Sequence, residues 1–194
     1  MIHISDNFFH DPYFIRNIAL KQKYKTEKFN YPGVRSFDVP KEVQEYILWY
    51  VKHITRDPLL VPHCISFQSV TQEFGEGIFH FDPHKYICIV YLSLDAPMDS
   101  GTEVCAEDQV ADPCNTEEIV RRKADAHKDP KNLIKRYRYD RIKKKVNSHY
   151  KPIVKVPHKF NRAVFFPATH FHRAQKFFGT SLENGRLTIV SFLV

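Results

Sequence analysis

Three residues of this 194-residue chain have the types and spacing to hold one metal ion. His80-Phe81-Asp82 sets an imidazole and a carboxylate two positions apart, and His172 supplies a second imidazole far down the chain. In an extended strand residues i and i+2 project to the same side, so His80 and Asp82 can present a nitrogen and an oxygen to one ion while Phe81 faces away. Two histidines and one carboxylate on one face of an octahedral ion suit iron(II) and leave positions open for a cosubstrate and dioxygen, the arrangement non-haem iron oxygenases use. Arg186 heads the closing apolar run 187–194. An arginine there needs a buried anionic partner or an outward-facing position.

A His-x-Asp pattern is short, and with eleven histidines in the chain it can arise by chance, so its context decides its meaning. His170 lies two positions before His172 and on a strand would face the same way, so either can serve as the distal ligand; His172 is favoured because His170 ends the turn Pro167-Ala168-Thr169. His80 and His84 would share a helix face, but Pro83 and the alternating pattern before it favour strand and turn, which leaves His84 a turn or supporting role.

The elements that must position these groups can be read from periodicity. Asp11-Pro12 has helix-start chemistry, with Phe14, Ile15, Ile18 and Ala19 following at helical spacing. A second helix is predicted from near Pro40, where Val43, Ile47, Tyr50, Val51 and Ile54 form an apolar stripe flanked by Tyr46 and Trp49, a pattern of core packing. From Val61 the pattern changes to short apolar runs: 65–67, 78–81, 87–92, 153–156, 163–166, 171–177 and 187–193. Short strands with few helices between them predict a mainly β fold with flanking helices, a sandwich or barrel of jelly-roll type. Gly75, Gly77 and Gly101 fall where such strands turn or let a backbone approach closely.

One stretch departs from this pattern. Residues 115–151 are polar and helix-forming, and between Arg121 and Lys151 thirteen Lys and Arg face only Asp125, Asp129 and Asp140, a net of +10 in a chain of +7. Everything outside the insert therefore sums to −3. Cations interleaved with Tyr137, Tyr139 and Tyr150 have the composition of a nucleic-acid footprint. The competing reading is a solvated helical face, seated through Leu133, Ile134 and Tyr137 on one side and Tyr139, Ile142 and Val146 further on, with its lysines in water. A basic lid could also draw an anionic cosubstrate or acidic substrate toward the site.

Length and a 43% hydrophobic content fit one domain over 1–194, with 1–60 as helical support. Cys64 and Cys88 sit in strand-like apolar runs and read as core residues, while Cys105 and Cys114 read as free thiols without a role. The opening residues do not resemble a signal peptide, and no apolar run reaches the ~20 residues that cross a bilayer, so the expected location is the cytoplasm, without membrane association.

Several stretches together resemble a known superfamily. Gly77-Ile78-Phe79-His80-Phe81-Asp82, Ile89-Val90-Tyr91-Leu92-Ser93 and Ser100-Gly101-Thr102-Glu103 are similar to the first half of a 2-oxoglutarate/Fe(II)-dependent dioxygenase of prolyl-hydroxylase type. Phe160-Asn161-Arg162-Ala163-Val164-Phe165-Phe166, His172-Arg173-Ala174, Phe178-Gly179 and Gly185-Arg186-Leu187-Thr188 are similar to the second half. Within that superfamily the chain most resembles a little-characterised group from bacteria and phages, whose members also open like Asp6-Asn7-Phe8-Phe9 and Asp11-Pro12 and carry a Tyr-Pro-Gly-x-Arg element, here Tyr31 to Arg35. A phage-encoded member would act in the host cytoplasm.

The resemblance implies a double-stranded β-helix (jelly-roll, cupin-like) core with N-terminal helices and the basic helical insert. It implies that His80, Asp82 and His172 hold Fe(II), that Arg186 grips the distal carboxylate of 2-oxoglutarate as a bidentate fork, and that the Tyr91 hydroxyl reaches the same carboxylate. Dioxygen is the second cosubstrate, and the reaction is hydroxylation of an unidentified substrate, with a peptide or small molecule favoured. Phe79, Phe81, Ile89 and Phe165 are candidate pocket or core walls. The fourteen-residue step from His172 to Arg186 is longer than in many prolyl hydroxylases, an extra turn over 179–185 that the phage-type group shares. A rival reading is a binding protein that takes nucleic acid or an acidic partner through residues 121–151. A nucleic-acid demethylase would usually carry a second arginine six residues after Arg186, where this chain has Phe192.

Overall fold

The structure, a computed structural model, describes residues 1–26, 31–106 and 116–194. Its order is β1 (His3–Ser5), α1 (Pro12–Leu20), β2 (Val34–Ser36), α2 (Lys41–Thr55), β3 (Pro62–Val70), β4 (Tyr86–Tyr91), β5 (Thr102–Cys105), α3 (Thr116–Lys128), α4 (Leu133–Asn147), β6 (Pro152–Val156), β7 (Ala163–Pro167), β8 (His172–Ala174) and β9 (Arg186–Leu193). Both sheets are antiparallel: a six-stranded one in the order β1-β7-β4-β9-β3-β2 and a three-stranded one in the order β6-β5-β8.

The large sheet is buried on both faces, and alternation along each strand divides its side chains between two cores. Cys88 and Val90 of β4, Phe165 of β7, and Leu187 and Ile189 of β9 pack with Ile15 and Ala19 of α1 and Val43, Ile47 and Val51 of α2. The intervening Ile87, Ile89 and Tyr91, with Val164 and Phe166, face Val104 and Val156 of the small sheet. The two N-terminal helices therefore cover one face and the small sheet the other. α1 starts where its chemistry predicts: the Asp11 side chain accepts the Phe14 N–H at 3.0 Å, with Pro12 in the first turn.

Two expected strands are shorter than their apolar runs. Residues 78–81 form no strand, and His80 makes only an isolated bridge with His172; 171–177 contributes only β8. The physical reason lies in where the backbone hydrogen bonds go. The Phe79 N–H is taken by the Asn147 side chain at 3.0 Å, and Asn147 Nδ2 returns a bond to the Gly77 carbonyl at 3.0 Å, so between its backbone bonds to β8 the strap is tied to α4 and no continuous ladder forms.

The basic insert is helical, as expected, but its seating differs from the expectation. Leu133, Ile134 and Tyr137 are exposed, whereas Tyr139 and Val146 are buried and Ile142 partly so. Tyr150 packs against Phe79 and Phe171, so of the three tyrosines only Tyr137 offers an open ring. Lys143 is not in water: it is 2% exposed and donates to the Phe74 and Glu76 carbonyls at 2.9 and 3.0 Å while pairing with Asp140 at 2.7 Å. Cys64, Cys88 and Cys105 form no disulfide among the described residues, and Cys114 lies outside them. No helix among the described residues is long and apolar enough to cross a membrane.

Two substitutions test this account. Gly33 has φ +72°, and a Cβ there would stand 2.0 Å from the Ser69 carbonyl oxygen, so Gly33→Ala should destabilise the chain by about 1–3 kcal/mol in denaturant unfolding. Lys143→Met removes a cation that satisfies two carbonyls and should cost about 1–3 kcal/mol, while Lys144→Gln and Lys145→Gln should stay within roughly 0.5 kcal/mol.

Candidate metal centre

His80 and Asp82 sit on the strap between β3 and β4, and His172 opens β8. The strap is drawn to β8 by a reciprocal backbone pair: the His80 N–H donates to the His172 carbonyl at 3.1 Å, and the His172 N–H to the His80 carbonyl at 2.8 Å. A third bond, from the Asp82 N–H to the Ala168 carbonyl at 3.0 Å, fixes the far side of the motif. This places His80 Nε2 3.7 Å and His172 Nε2 3.2 Å from Asp82 Oδ2, and one ligand atom from each residue lies within 4.8 Å of the others.

Both imidazoles are held in one tautomer. His80 Nδ1 is 2.9 Å from the Ile78 carbonyl oxygen and His172 Nδ1 is 2.9 Å from that of His170. A carbonyl only accepts, so each Nδ1 carries a proton and each Nε2 is left with its lone pair turned toward Asp82. Two lone pairs and a carboxylate facing one another repel unless a cation lies between them, and a nitrogen, nitrogen and oxygen donor set fits a divalent transition metal. Crowding within the cavity, and then the neighbouring His172, hold the His80 imidazole down to about 4, although half of its side-chain surface opens onto the cavity. Burial pushes the Asp82 carboxyl up, but the neighbouring His172 and His80 outweigh it and lower it overall.

His170, the competing distal ligand, is turned elsewhere: it is buried, with Nδ1 3.0 Å from the Cys105 carbonyl oxygen, and is not one of the three converging groups. His84 lies against His63 and Phe192, outside the cluster.

The three groups open onto a cavity of about 310 Å³. Arg186 lines it and is 4% exposed; its Nε donates to the Ser100 carbonyl at 3.0 Å, and among the described residues no carboxylate pairs with it. Burial presses its charge down, and Tyr91 partly offsets this. An unpaired guanidinium held out of water is costly unless an anion joins it, so the residues fit a ligand that presents a carboxylate. Tyr91 stands one layer behind the cavity wall: its ring is 5.5 Å from the Arg186 guanidinium and its hydroxyl donates to Thr102 Oγ1 at 2.7 Å. It is Thr102 that lines the cavity.

Of the apolar candidates, Ile89 lines the cavity, Phe79 and Phe165 are core residues, and Phe81 is exposed beside Phe171. Arg173 follows His172 on β8. Its guanidinium bridges Glu103 and Glu76, each at 2.7 Å, and so ties β8 to β5 and to the strap. Burial raises the Glu103 carboxyl, but Arg173 outweighs it and keeps it lowered. Thr102, Arg173 and Lys123 carry no spacing signal that would have marked them.

Comparison with solved structures shows the same architecture in proteins of distant sequence. HygX from Streptomyces hygroscopicus, solved with nickel and 2-oxoglutarate bound, matches with a TM-score of 0.62 at 11% identity over 99% of this chain and 82% of that one. The viral collagen prolyl hydroxylase vCPH from Paramecium bursaria Chlorella virus-1, in its 2OG complex, matches at 0.55 and 11% identity over 99% and 94%. A prolyl hydroxylase from Trichoplax adhaerens, in complex with a hypoxia inducible factor peptide fragment, matches at 0.58 and 10% identity over 99% and 82%. At these identities the likeness establishes the fold. No curated protein matches the sequence. A family model does, over residues 1–193, and the chain with its two antiparallel sheets and convergent His80, Asp82 and His172 belongs to that family, the family of unknown function DUF6445.

Proposed function

We propose that this chain is an Fe(II)- and 2-oxoglutarate-dependent dioxygenase, one domain over 1–194 built on a double-stranded β-helix core, which hydroxylates a small-molecule or peptidyl substrate. The observation that carries this reading is the meeting of three lone-pair donors beside a buried, unpaired arginine in one cavity. The bound nickel and 2-oxoglutarate of HygX support it by analogy of fold.

His80, Asp82 and His172 would hold the iron, and Arg186 would receive the distal carboxylate of 2-oxoglutarate. Iron held there supplies dioxygen activation coupled to oxidative decarboxylation of the cosubstrate to succinate. The protein's own part is positioning. The carbonyls of Ile78 and His170 keep each Nδ1 protonated and each Nε2 free to ligate. Tyr91 and the Ser100 carbonyl orient the Arg186 fork, and the Tyr91–Thr102 hydrogen bond fixes the hydroxyl that faces the ligand. The walls from Ile87, Ile89 and Val190 restrict water.

A binding protein using the basic insert is the weaker reading. Two of the three tyrosines that would stack on bases are packed inside, and one lysine of the 143–145 run is a buried structural group.

The first test is anaerobic titration of purified protein with Fe(II) and 2-oxoglutarate, followed by the weak visible charge-transfer band of iron-chelated 2-oxoglutarate. The band should form in the wild type and in His170→Ala, and be lost in His80→Ala and His172→Ala as metal affinity falls roughly 100-fold or more. A folded wild-type protein that gives no band would overturn the reading. Arg186→Met should keep metal binding and weaken 2-oxoglutarate binding by at least about tenfold, measured by titrating the cosubstrate.

A further inference from the structure

The cavity holds more positive charge than iron and 2-oxoglutarate account for. Four cations line it, Arg35, Lys123, Arg173 and Arg186, against two carboxylates, Glu76 and Asp82. Arg173 is spoken for by Glu76 and Glu103. A divalent metal and the dianionic cosubstrate cancel each other, with Arg186 taking the distal carboxylate, and Asp82 belongs to the metal. The surplus that remains sits on Arg35 and Lys123.

Neither residue is a solvated surface charge, and among the described residues neither makes a salt bridge. Arg35 comes from the Tyr31–Arg35 element that β2 pairs to β3, and its guanidinium lies 4.2 Å from the Tyr31 ring centroid and 5.6 Å from that of Phe192. Its Nε is buried without a hydrogen-bond partner. Gly33 makes the element's close approach to Ser69 feasible, and Gln68 holds it by donating to the Pro32 carbonyl at 3.1 Å. Lys123, on α3 of the basic insert, lines the same cavity. Burial opposes the charge of each, both are drawn toward Asp82, and Lys123 is further opposed by Arg35 as a like charge. Two converging, partly desolvated cations of this kind are stable only with an anion between them.

We propose that Arg35 and Lys123 form a substrate-anion subsite, so that the substrate is a small molecule or chain terminus carrying a carboxylate or phosphate group, gripped by the β2 element on one side and α3 on the other. The proposal rests on the oxygenase reading of the metal centre. It gives the insert a defined task, the supply of Lys123 as one jaw of the subsite, and the Tyr31 and Phe192 faces orient the Arg35 fork as stacked planes do.

The test is calorimetric titration of inorganic phosphate and, separately, propionate into the Mn(II)-loaded protein saturated with 2-oxoglutarate, repeated on metal-free protein without cosubstrate. At least one probe should bind saturably at one equivalent. That binding should weaken about tenfold or more in Arg35→Met and in Lys123→Met, and less in Arg35→Lys, which keeps the charge and loses the stacked fork, with metal and 2-oxoglutarate affinity unchanged throughout. Preference between the two probes identifies the anion. Lys123→Met alters a partly exposed helical residue and keeps the test independent of any folding defect at Arg35. Binding that is equal in wild type and both variants, or absent for both probes while 2-oxoglutarate binds normally, overturns the subsite. Loss of Mn(II) and 2-oxoglutarate binding in the wild type, with phosphate or propionate still held through Arg35 and Lys123, overturns the oxygenase reading and leaves the subsite standing.

Discussion

Two backbone hydrogen bonds between His80 and His172 are the constraint on which the rest of the site depends. They join residues far apart in the chain on the outer edge of β8, where the small sheet ends, and they bring two imidazoles to one carboxylate. Because the strap before His80 is not part of a ladder, its remaining polar groups must be satisfied by something else. Asn147 and Lys143 on α4 do this, taking the Phe79 N–H and filling the carbonyls of Phe74, Glu76 and Gly77. The basic insert is thereby part of the scaffold of the candidate metal centre, and its buried lysine has an architectural role.

The cavity is organised around a second constraint, the cost of keeping cations out of water. Arg173 is fully compensated by two carboxylates and acts as a rivet between β5, β8 and the strap. Arg186 is oriented by a carbonyl and an aromatic ring and has no carboxylate of its own among the described residues. The difference between these two arginines is one of compensation: the first is paired within the protein, and the second has the environment of a group that an anionic ligand would complete.

Much of the framework was legible because burial follows periodicity. The Asp11-Pro12 helix start, the Val43–Ile47–Val51 stripe and the alternating faces of β4, β7 and β9 each reflect a local rule acting on neighbouring residues. Where local rules ran out, so did the reading. Residues 78–81 have a strand's composition but donate to a side chain, and Leu133, Ile134 and Tyr137 have a helix's apolar spacing yet face solvent, because the contact surface is formed by the other side of α4. Tyr91 was expected at the cosubstrate; its hydroxyl donates to Thr102, which lines the cavity.

By itself the sequence marked the candidate ligand set and the two kinds of periodicity, since these depend on residue type and on spacings of two to four positions. It favoured His172 over His170 only through the turn at 167–169 and the His-Arg-Ala resemblance, because two residues on the same face of a strand differ chiefly in what the surrounding backbone offers them. Tertiary structure decided between their positions: the Cys105 carbonyl turns His170 away, and the His170 carbonyl fixes the His172 ring. It also decided that Arg35 and Lys123, distant in sequence and unremarkable in spacing, share one cavity. Long-range convergence of this kind is set by the packing of whole elements, which no local pattern records.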